Sequence, residues 1–382
     1  MSWLYSVPER NIENSWCEID LSQMLTNIHK VYEVCPSHTK LMAVVKDNAY
    51  GHGAVAVSLY LQSRGVSNFA VANITEAIEL RKAGINGDIL ILGYTPIFLT
   101  EELAEFNLIQ TVTSVDHADK LANCGRNIRC HFSVDTGMRR IGINSDDIEY
   151  CINLIIRYSD ILNIEGIFTH LSVADSSQNE SDVIFTEKQI KDVKKIYEGV
   201  KGKVKYVHFL NSAGGMYIGY YGGDFLRFGV SLYGIRPNPN ADLLLGMNPI
   251  LTWKTRISMV KDIHKGDNIG YGRTFTAPKN MKIATVNVGY ANGYDRRLSN
   301  CGVTIVNNCI ANVVGRICMD QMMIDVSNLV DVNVEDEVIL AGCDTFSISH
   351  DVSIDGIAKR IGTIGHEVVC GIPKETPRYY HD

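Results

Sequence analysis

The sequence has no apolar run long enough to cross a bilayer and no CxxC pair among its ten cysteines. A membrane-spanning helix needs about 20 consecutive, mostly apolar residues. The missing CxxC spacing argues against a structural zinc site. The first 16 residues contain no apolar leader segment. We therefore expect a cytoplasmic protein, or the cytoplasmic domain of a larger membrane protein, with free and mostly buried thiols.

Other absences narrow the function. The formal net charge is −7, which argues against a nucleic-acid or anionic-membrane partner. The glycine motifs GxGxxG and GxxxxGK[ST] do not occur, so no dinucleotide or P-loop site is indicated. The 11 histidines form no HxH or HExxH cluster, which argues against a metal hydrolase, and we expect no metal.

The chain is longer than a single hydrophobic core usually supports. Between residues 41 and 233, short apolar runs alternate with amphipathic stretches of helical length. The runs are 41–45, 69–72, 89–92, 109–112, 129–134, 164–169, 204–210 and 226–233. This alternation predicts a (β/α)8 TIM barrel. An open doubly wound sheet is the alternative, but it seldom uses eight such units without a glycine-rich nucleotide motif.

After Pro237 and Pro239 the apolar runs become short and rich in Val, Ile and Thr. Gly, Asn and Asp separate them, which predicts a mostly antiparallel β domain. Only residues 354–361 and their neighbours have a helical pattern. We therefore predict an α/β protein with a barrel over residues 1–240 and a C-terminal β domain over residues 241–382.

Lys46 follows the first apolar run directly and precedes the glycines Gly51 and Gly53. Active sites of TIM barrels lie where strands end and βα loops begin. An ammonium there is poorly hydrated, which favours the neutral amine that can form a Schiff base. The alternative is a surface lysine whose stem packs on the core. Taken alone, Lys46 fits that alternative better.

Polar residues also stand at other predicted strand ends, namely Asp135 to Arg140, His170, Asn211, Ser212, Arg227 and Gly229. Cations at four strand ends are costly without an anionic partner, which predicts an anionic ligand over the barrel mouth. Asn211 and Ser212 open a helix near Gly229 and Val230, an arrangement typical of a phosphate site. A plain helix cap is the alternative. A Schiff-base lysine beside a phosphate site indicates pyridoxal 5′-phosphate.

In the β domain, Tyr271 lies between Gly270 and Gly272 and is sterically accessible. A neutral phenol is a poor base at neutral pH unless cations lie close to it. The pattern therefore leaves two interpretations open, a catalytic tyrosine and a simple turn aromatic.

Seven ordered motifs resemble those of the alanine racemases: residues 44–53, 135–142, 169–170, 211–212, 227–229, 271–274 and 315–320. The similarity runs from about residue 16 to residue 379 and includes both predicted domains. The resemblance implies a pyridoxal 5′-phosphate-dependent racemase that interconverts L- and D-alanine for peptidoglycan precursors. It also implies a head-to-tail homodimer in which each active site is built from both chains.

The resemblance assigns roles to individual residues. Lys46 would carry the cofactor and act as the base on one face of the substrate, and Tyr271 of the other subunit would act on the opposite face. Arg227, supported by His170, would face the pyridine nitrogen. The remaining cofactor contacts implied by the resemblance are Tyr50, Asn211, Ser212, Gly229, Val230 and His366. The implied substrate contacts are Arg140, the main chain of Met319, Tyr290 and His366.

Three positions depart from the pattern of the family. Ser133 stands where many relatives have a lysine that steadies the carboxylate-binding arginine, and Gly270 stands where serine is frequent. His366 replaces a common tyrosine that touches the phosphate and forms a wall of the substrate pocket. Excluding a slightly larger substrate by packing is worth only about 1–3 kcal/mol. A smaller, polar imidazole would therefore admit serine, as in the serine racemases of glycopeptide resistance.

Two other functions share parts of this pattern. A basic amino-acid decarboxylase joins a similar barrel to a β domain, but it would use an acidic contact to the pyridine nitrogen in place of Arg227. A non-catalytic pyridoxal-phosphate-binding protein would need no second base, so Tyr271 argues against it.

Overall fold

The computed structural model describes residues 15–176, 179–342 and 350–382. These residues form two compact units. The first contains Ile28–Tyr50 and Ala54–Leu232. The second contains Gly51–Gly53 and Tyr233–Asp382, together with the described residues up to Asn27. The second unit thus takes in a segment from the beginning of the chain, which the predicted boundary at residue 240 had assigned to the barrel.

The first unit contains eight parallel strands. They are Lys40–Val44, Asn68–Val71, Asp88–Ile91, Ile109–Val112, Arg129–Asp135, Asn163–Phe168, Tyr206–His208 and Phe225–Phe228, numbered here as the first to the eighth barrel strand. Each of the first six pairs in parallel with the next strand along the chain, and the eighth pairs with the first. Leu210 pairs in parallel with Leu226, which brings the seventh strand beside the eighth. The short strand Ile143–Asn144 pairs with the fifth. The predicted TIM-like barrel is confirmed.

Helices alternate with these strands. They are Leu21–Tyr32, Ala54–Ser63, Ile74–Lys82, Thr100–Glu105, Val115–Ala122, Ile148–Ser159, Glu180–Val200 and Ser212–Ile218. Polar side chains cap several of them, because the first amides of a helix have no internal acceptor. Asn73, Ser114 and Asp147 each accept a hydrogen bond from the amide three residues later. These caps fix where the chain turns from strand to helix.

The second unit is built around antiparallel strands. Six of them form a closed ring: Leu251–Ile263, Met281–Val286, Met322–Asp325, Cys309–Val314, Val303–Val306 and Glu337–Gly342. Strand Ser15–Asp20 pairs antiparallel with Leu251–Ile263, and Arg378–His381 pairs in parallel with Ser15–Asp20. The hairpin strands Asn268–Ile269 and Phe275–Thr276 flank Tyr271. The helices are Ile354–Ile361 and Gly365–Cys370. The mostly antiparallel β domain is confirmed.

Cysteine burial differs from the expectation. None of the nine described cysteines forms a disulfide, but only Cys17, Cys130 and Cys151 are buried, whereas Cys301, Cys309 and Cys370 are exposed. The prediction of mostly buried thiols was wrong, because these three lie in a turn, at a strand start and at a helix end, where side chains face water. Cys343 lies outside the described residues. Within them, no helix combines the length and the apolar character that a membrane crossing requires.

Candidate active site

Lys46 begins an unusual backbone segment at the end of the first barrel strand. The next four residues, Asp47 to Tyr50, all have left-handed φ values, between 51° and 55°. For residues with a side chain, this conformation costs roughly 1–2 kcal/mol each, and such strain persists only where surrounding contacts enforce it. The Lys46 side chain is 36% exposed, and its Nζ lies 5.8 Å from the centre of the Tyr50 ring. The segment thus places the lysine and the tyrosine side by side.

Hydrogen bonds of Glu76 and Asn48 stabilise this left-handed segment. The Glu76 carboxylate accepts hydrogen bonds from the amides of Asp47 and Ala72, both at 2.7 Å. Asn48 Oδ1 accepts from the amide of Ala54 at 3.0 Å and so caps the following helix. The strained turn is therefore tied at its start to the second βα loop and at its end to the next helix.

Tyr50, Ser212 and Gly229 converge at the loops after the first, seventh and eighth barrel strands. Ser212 Oγ accepts a hydrogen bond from the Gly229 amide at 3.0 Å. A Cβ built at Gly229 would lie 2.7 Å from Tyr50 Oη, so only glycine leaves room for this hydroxyl. Asn211 Oδ1 accepts from the Gly214 amide at 2.8 Å and caps the helix that Ser212 begins. Two hydroxyls and a main-chain amide thus meet beside Val230, as a phosphate site requires.

Arg227 is 3% exposed, and its partners are neutral. Its Nη1 donates to His208 Nδ1 and its Nη2 donates to the Thr169 carbonyl, both at 2.7 Å. His170, the predicted support, is more distant, with its Nδ1 3.4 Å from Nη2. Burial, together with the nearby Arg140, lowers the pKa of Arg227 to about 9. The guanidinium therefore keeps its charge at neutral pH in a site with no matching carboxylate among the contacts described for it.

His208 extends this network away from the barrel mouth. Its Nδ1 accepts from Arg227, so its Nε2 carries the proton and donates to His131 Nδ1 at 2.8 Å. Burial lowers the pKa of His208 well below 6.5, and that of His131 to about 4. Both rings are therefore neutral at pH 7 and act on Arg227 by hydrogen bonding. Sequence reasoning missed His208, although it stands three residues before Asn211 at the end of the seventh strand.

Three cations surround His170. Burial lowers its pKa to about 3, and the charges of Arg227, Arg140 and Lys46 act in the same direction. Arg140 is exposed and, with Ser133, lines a small cavity of about 20 Å³ that also reaches His170. The barrel mouth thus gathers the predicted residues around an electropositive centre that favours an anionic ligand.

The second unit groups further predicted residues. The Tyr290 amide donates to the Cys318 carbonyl at 3.1 Å, and the Ala291 amide donates to the Met319 carbonyl at 3.0 Å, so Tyr290 and Met319 adjoin. Tyr271, Tyr290 and Met319 are 70%, 42% and 54% exposed. His366 is half-buried in helix Gly365–Cys370.

Comparison with known proteins identifies the family. The family model of the alanine racemase N-terminal domain matches residues 19–237. The family model of the alanine racemase C-terminal domain matches residues 250–380. The chain belongs to the alanine racemase family. A similar relative, alanine racemase 1 of Clostridium acetobutylicum, is 39% identical over 97% of this chain and 96% of its own. The solved alanine racemase of Clostridium difficile 630 is 32% identical, with a TM-score of 0.88 and 97% of each chain covered.

Alanine racemases depend on pyridoxal 5′-phosphate, as predicted. The residues of this chain fit the group. Gly229 lacks the Cβ that would displace the Tyr50 hydroxyl, and Ser212 presents its hydroxyl to the same amides. Lys46 follows the first strand, and its Nζ lies 5.8 Å from the centre of the Tyr50 ring. Arg227 is buried and charged, as a hydrogen-bond donor to a ring nitrogen would need to be.

Proposed function

We propose that this chain is an amino-acid racemase that interconverts L- and D-alanine, and also L- and D-serine, for peptidoglycan precursors. The observation that carries the proposal is the left-handed turn that places Lys46 beside Tyr50, whose hydroxyl lies close to Gly229 and its hydrogen bond with Ser212. The chain matches the family models of both alanine racemase domains, which supports alanine as a substrate.

Each residue of the proposed site has a defined task. Lys46 holds the cofactor through Nζ, and Tyr50, Asn211, Ser212, Gly229 and Val230 bind or shape its phosphate site. The resemblance to the family assigns His366 as a further cofactor contact. Arg140, together with the main chain of Met319 from a second copy of the chain, binds the substrate carboxylate, and Tyr290 lines the entry. Bound pyridoxal 5′-phosphate withdraws electrons from the substrate and so acidifies its α-proton. Arg227 donates a hydrogen bond to the ring nitrogen and, because its pKa is about 9, keeps its own proton.

Racemisation needs a proton removed from one face of the α-carbon and another delivered to the opposite face. We assign these tasks to Lys46 Nζ and to Tyr271 Oη of a second copy of the chain. The 70% exposure of Tyr271 supports a side chain that completes its surroundings in another subunit. The buried Arg227 stands where the decarboxylase alternative would use an acidic contact to the pyridine nitrogen, which argues against that alternative.

Complementation tests the two-base assignment and the shared site together. Lys46→Ala and Tyr271→Phe should each abolish racemisation. After the two variants are mixed, unfolded and refolded, about a quarter of wild-type activity should return, because half of the dimers carry one intact site of two. Borohydride should fix the cofactor to Lys46 in the wild type and in Tyr271→Phe. Mixing that restores no activity would contradict a site built from two chains.

The substrate range depends on His366. We expect wild type to racemise serine with a kcat/KM within a thousandfold of that for alanine. His366→Tyr should lower the serine value by about 10–100-fold while the alanine value changes little, because a larger wall excludes the hydroxymethyl group. Measuring both substrates in both proteins decides the point. A serine value below one-thousandth of the alanine value in wild type would rule out dual specificity.

A further inference from the structure

Arg378 donates hydrogen bonds to main-chain carbonyl groups of two segments that are far apart in sequence. Its partners are the carbonyls of Gly51, Ile372, Pro373, Lys374 and Thr376. The bond from Nε to the Gly51 carbonyl measures 2.9 Å. Every partner of this guanidinium within the described residues is a carbonyl oxygen. The planar fork of five N–H groups suits this role, whereas a lysine ammonium has only three donors and no fixed plane.

Tyr380 binds His52, the residue that follows Gly51. Its Oη donates to the His52 carbonyl at 3.1 Å. A Cβ built at Gly53 would lie 1.9 Å from that hydroxyl oxygen, and one built at Gly51 would lie 2.3 Å from the Val369 carbonyl. The His52 ring stacks on Tyr233 with a centroid distance of 4.4 Å. Residues 51–53 are therefore fixed by close packing as well as by hydrogen bonds.

These contacts begin where the left-handed turn ends. Gly51 follows Tyr50 directly, and Glu76 holds the start of the turn at the Asp47 amide. A run of left-handed residues is intrinsically unfavourable, so it needs restraint at both ends. Arg378 itself is fixed, because it pairs with Cys17 in the parallel register of Arg378–His381 with Ser15–Asp20.

We propose that Arg378 and Tyr380 are positioning residues for the cofactor site. They fix the backbone of residues 51–53 and thereby keep the left-handed turn in the conformation that orients Lys46 and Tyr50. The same Arg378 guanidinium binds the carbonyls of Ile372 and Pro373 just after the helix that carries His366. The proposal rests on the assignment of Lys46 to the cofactor made above.

The test compares two arginines with the same chemistry. Arg81 also donates to several carbonyls, those of Ile85, Gly87, Phe106 and Asn107, but at the amino ends of the barrel strands. In the cofactor-free protein, Arg378→Lys should speed amide hydrogen exchange in peptides covering residues 46–53 by about tenfold. Its dissociation constant for pyridoxal 5′-phosphate should rise by about tenfold. Arg81→Lys should leave both quantities at wild-type values, even where its Tm falls equally.

Tyr380→Phe is a milder second variant and should raise local exchange and the cofactor dissociation constant by about threefold. The inference would be overturned if Arg378→Lys and Arg81→Lys showed the same amide hydrogen exchange over residues 46–53 and the same cofactor affinity. It would also be overturned if Tyr380→Phe left both quantities at their wild-type values. Peptide mapping after borohydride treatment of wild type separates the two proposals. A label away from Lys46 refutes the proposed function, whereas a label on Lys46 with unchanged exchange in both variants refutes only the positioning role.

Discussion

Among single residues, Gly229 leaves space for the Tyr50 hydroxyl because it has no side chain. In Gly229→Ala, the added methyl group would lie 2.7 Å from Tyr50 Oη, so the tyrosine must move. Overpacking of this kind costs about 1–3 kcal/mol, and we expect cofactor affinity to fall by about tenfold or more. Titration of the cofactor-free protein with pyridoxal 5′-phosphate, monitored by fluorescence, measures the effect.

Tyr50→Phe provides the matched control because it removes the oxygen that the new methyl group meets. The double variant should therefore lose less affinity than the sum of the two single losses, as expected for residues in direct contact. Strictly additive losses would show that Gly229→Ala acts on something other than Tyr50.

At the scale of secondary structure elements, an ion-pair cluster joins the amino ends of the barrel strands. Arg129 in the fifth strand donates to Asp88 Oδ1 at 2.8 Å and binds both Glu165 oxygens, at 2.6 and 2.9 Å. The side chains of Arg129 and Glu165 are only 20% and 12% exposed. Residues at this end of a TIM barrel serve stability, because catalysis takes place at the other end.

Arg129→Met should therefore lower the free energy of unfolding by about 2 kcal/mol, since it leaves Glu165 partly buried without its partner. The kcat/KM for alanine should stay within about twofold of wild type. Urea denaturation and racemase assays measure the two quantities. Arg126→Ala breaks the exposed pair with Glu101 and should cost less than about 1 kcal/mol. A large loss of kcat/KM in Arg129→Met would contradict this division of tasks.

At the scale of the whole molecule, buried neutral histidines make stability depend on pH. Burial lowers the pKa of His131 to about 4 and that of His170 to about 3, and it lowers that of His208 well below 6.5. In the unfolded chain these groups titrate near 6.5, so below that pH the unfolded chain binds more protons. The stability that depends on these neutral rings is therefore fully present well above pH 6.5 and is lost as the pH drops toward about 4. Each histidine contributes about 1.4 kcal/mol per pH unit.

Urea unfolding at several pH values between about 7 and 5 measures this slope. His131→Gln cannot titrate, so its slope should be shallower by about 1.4 kcal/mol per pH unit. The same substitution at the exposed His264 is the matched control for the loss of an imidazole. Identical slopes for wild type and His131→Gln would show that His131 does not contribute.

Local patterns in the sequence determined the elements and the residues at their ends. Apolar runs of strand length alternating with helical stretches predicted all eight barrel strands, and strand ends predicted Lys46, Arg140, His170, Asn211, Ser212, Arg227 and Gly229. These predictions depend on side chains close together along the chain, where periodicity is visible. After Pro237, short runs rich in Val, Ile and Thr replace the alternating strand and helix patterns, and this local change predicted the β domain.

Tertiary structure alone decided the features that join distant segments. The strand Ser15–Asp20 belongs to the β domain because its pairing partners lie more than two hundred residues away. His208 lies closer to Arg227 than His170 does, because the geometry of the closed barrel sets side-chain distances across its interior. Asp and Asn adopt the left-handed conformation as single residues, but local preference does not favour four such residues in succession, so no sequence pattern predicted them. Glu76 and Arg378, brought in from other parts of the fold, hold the ends of that turn beside Lys46.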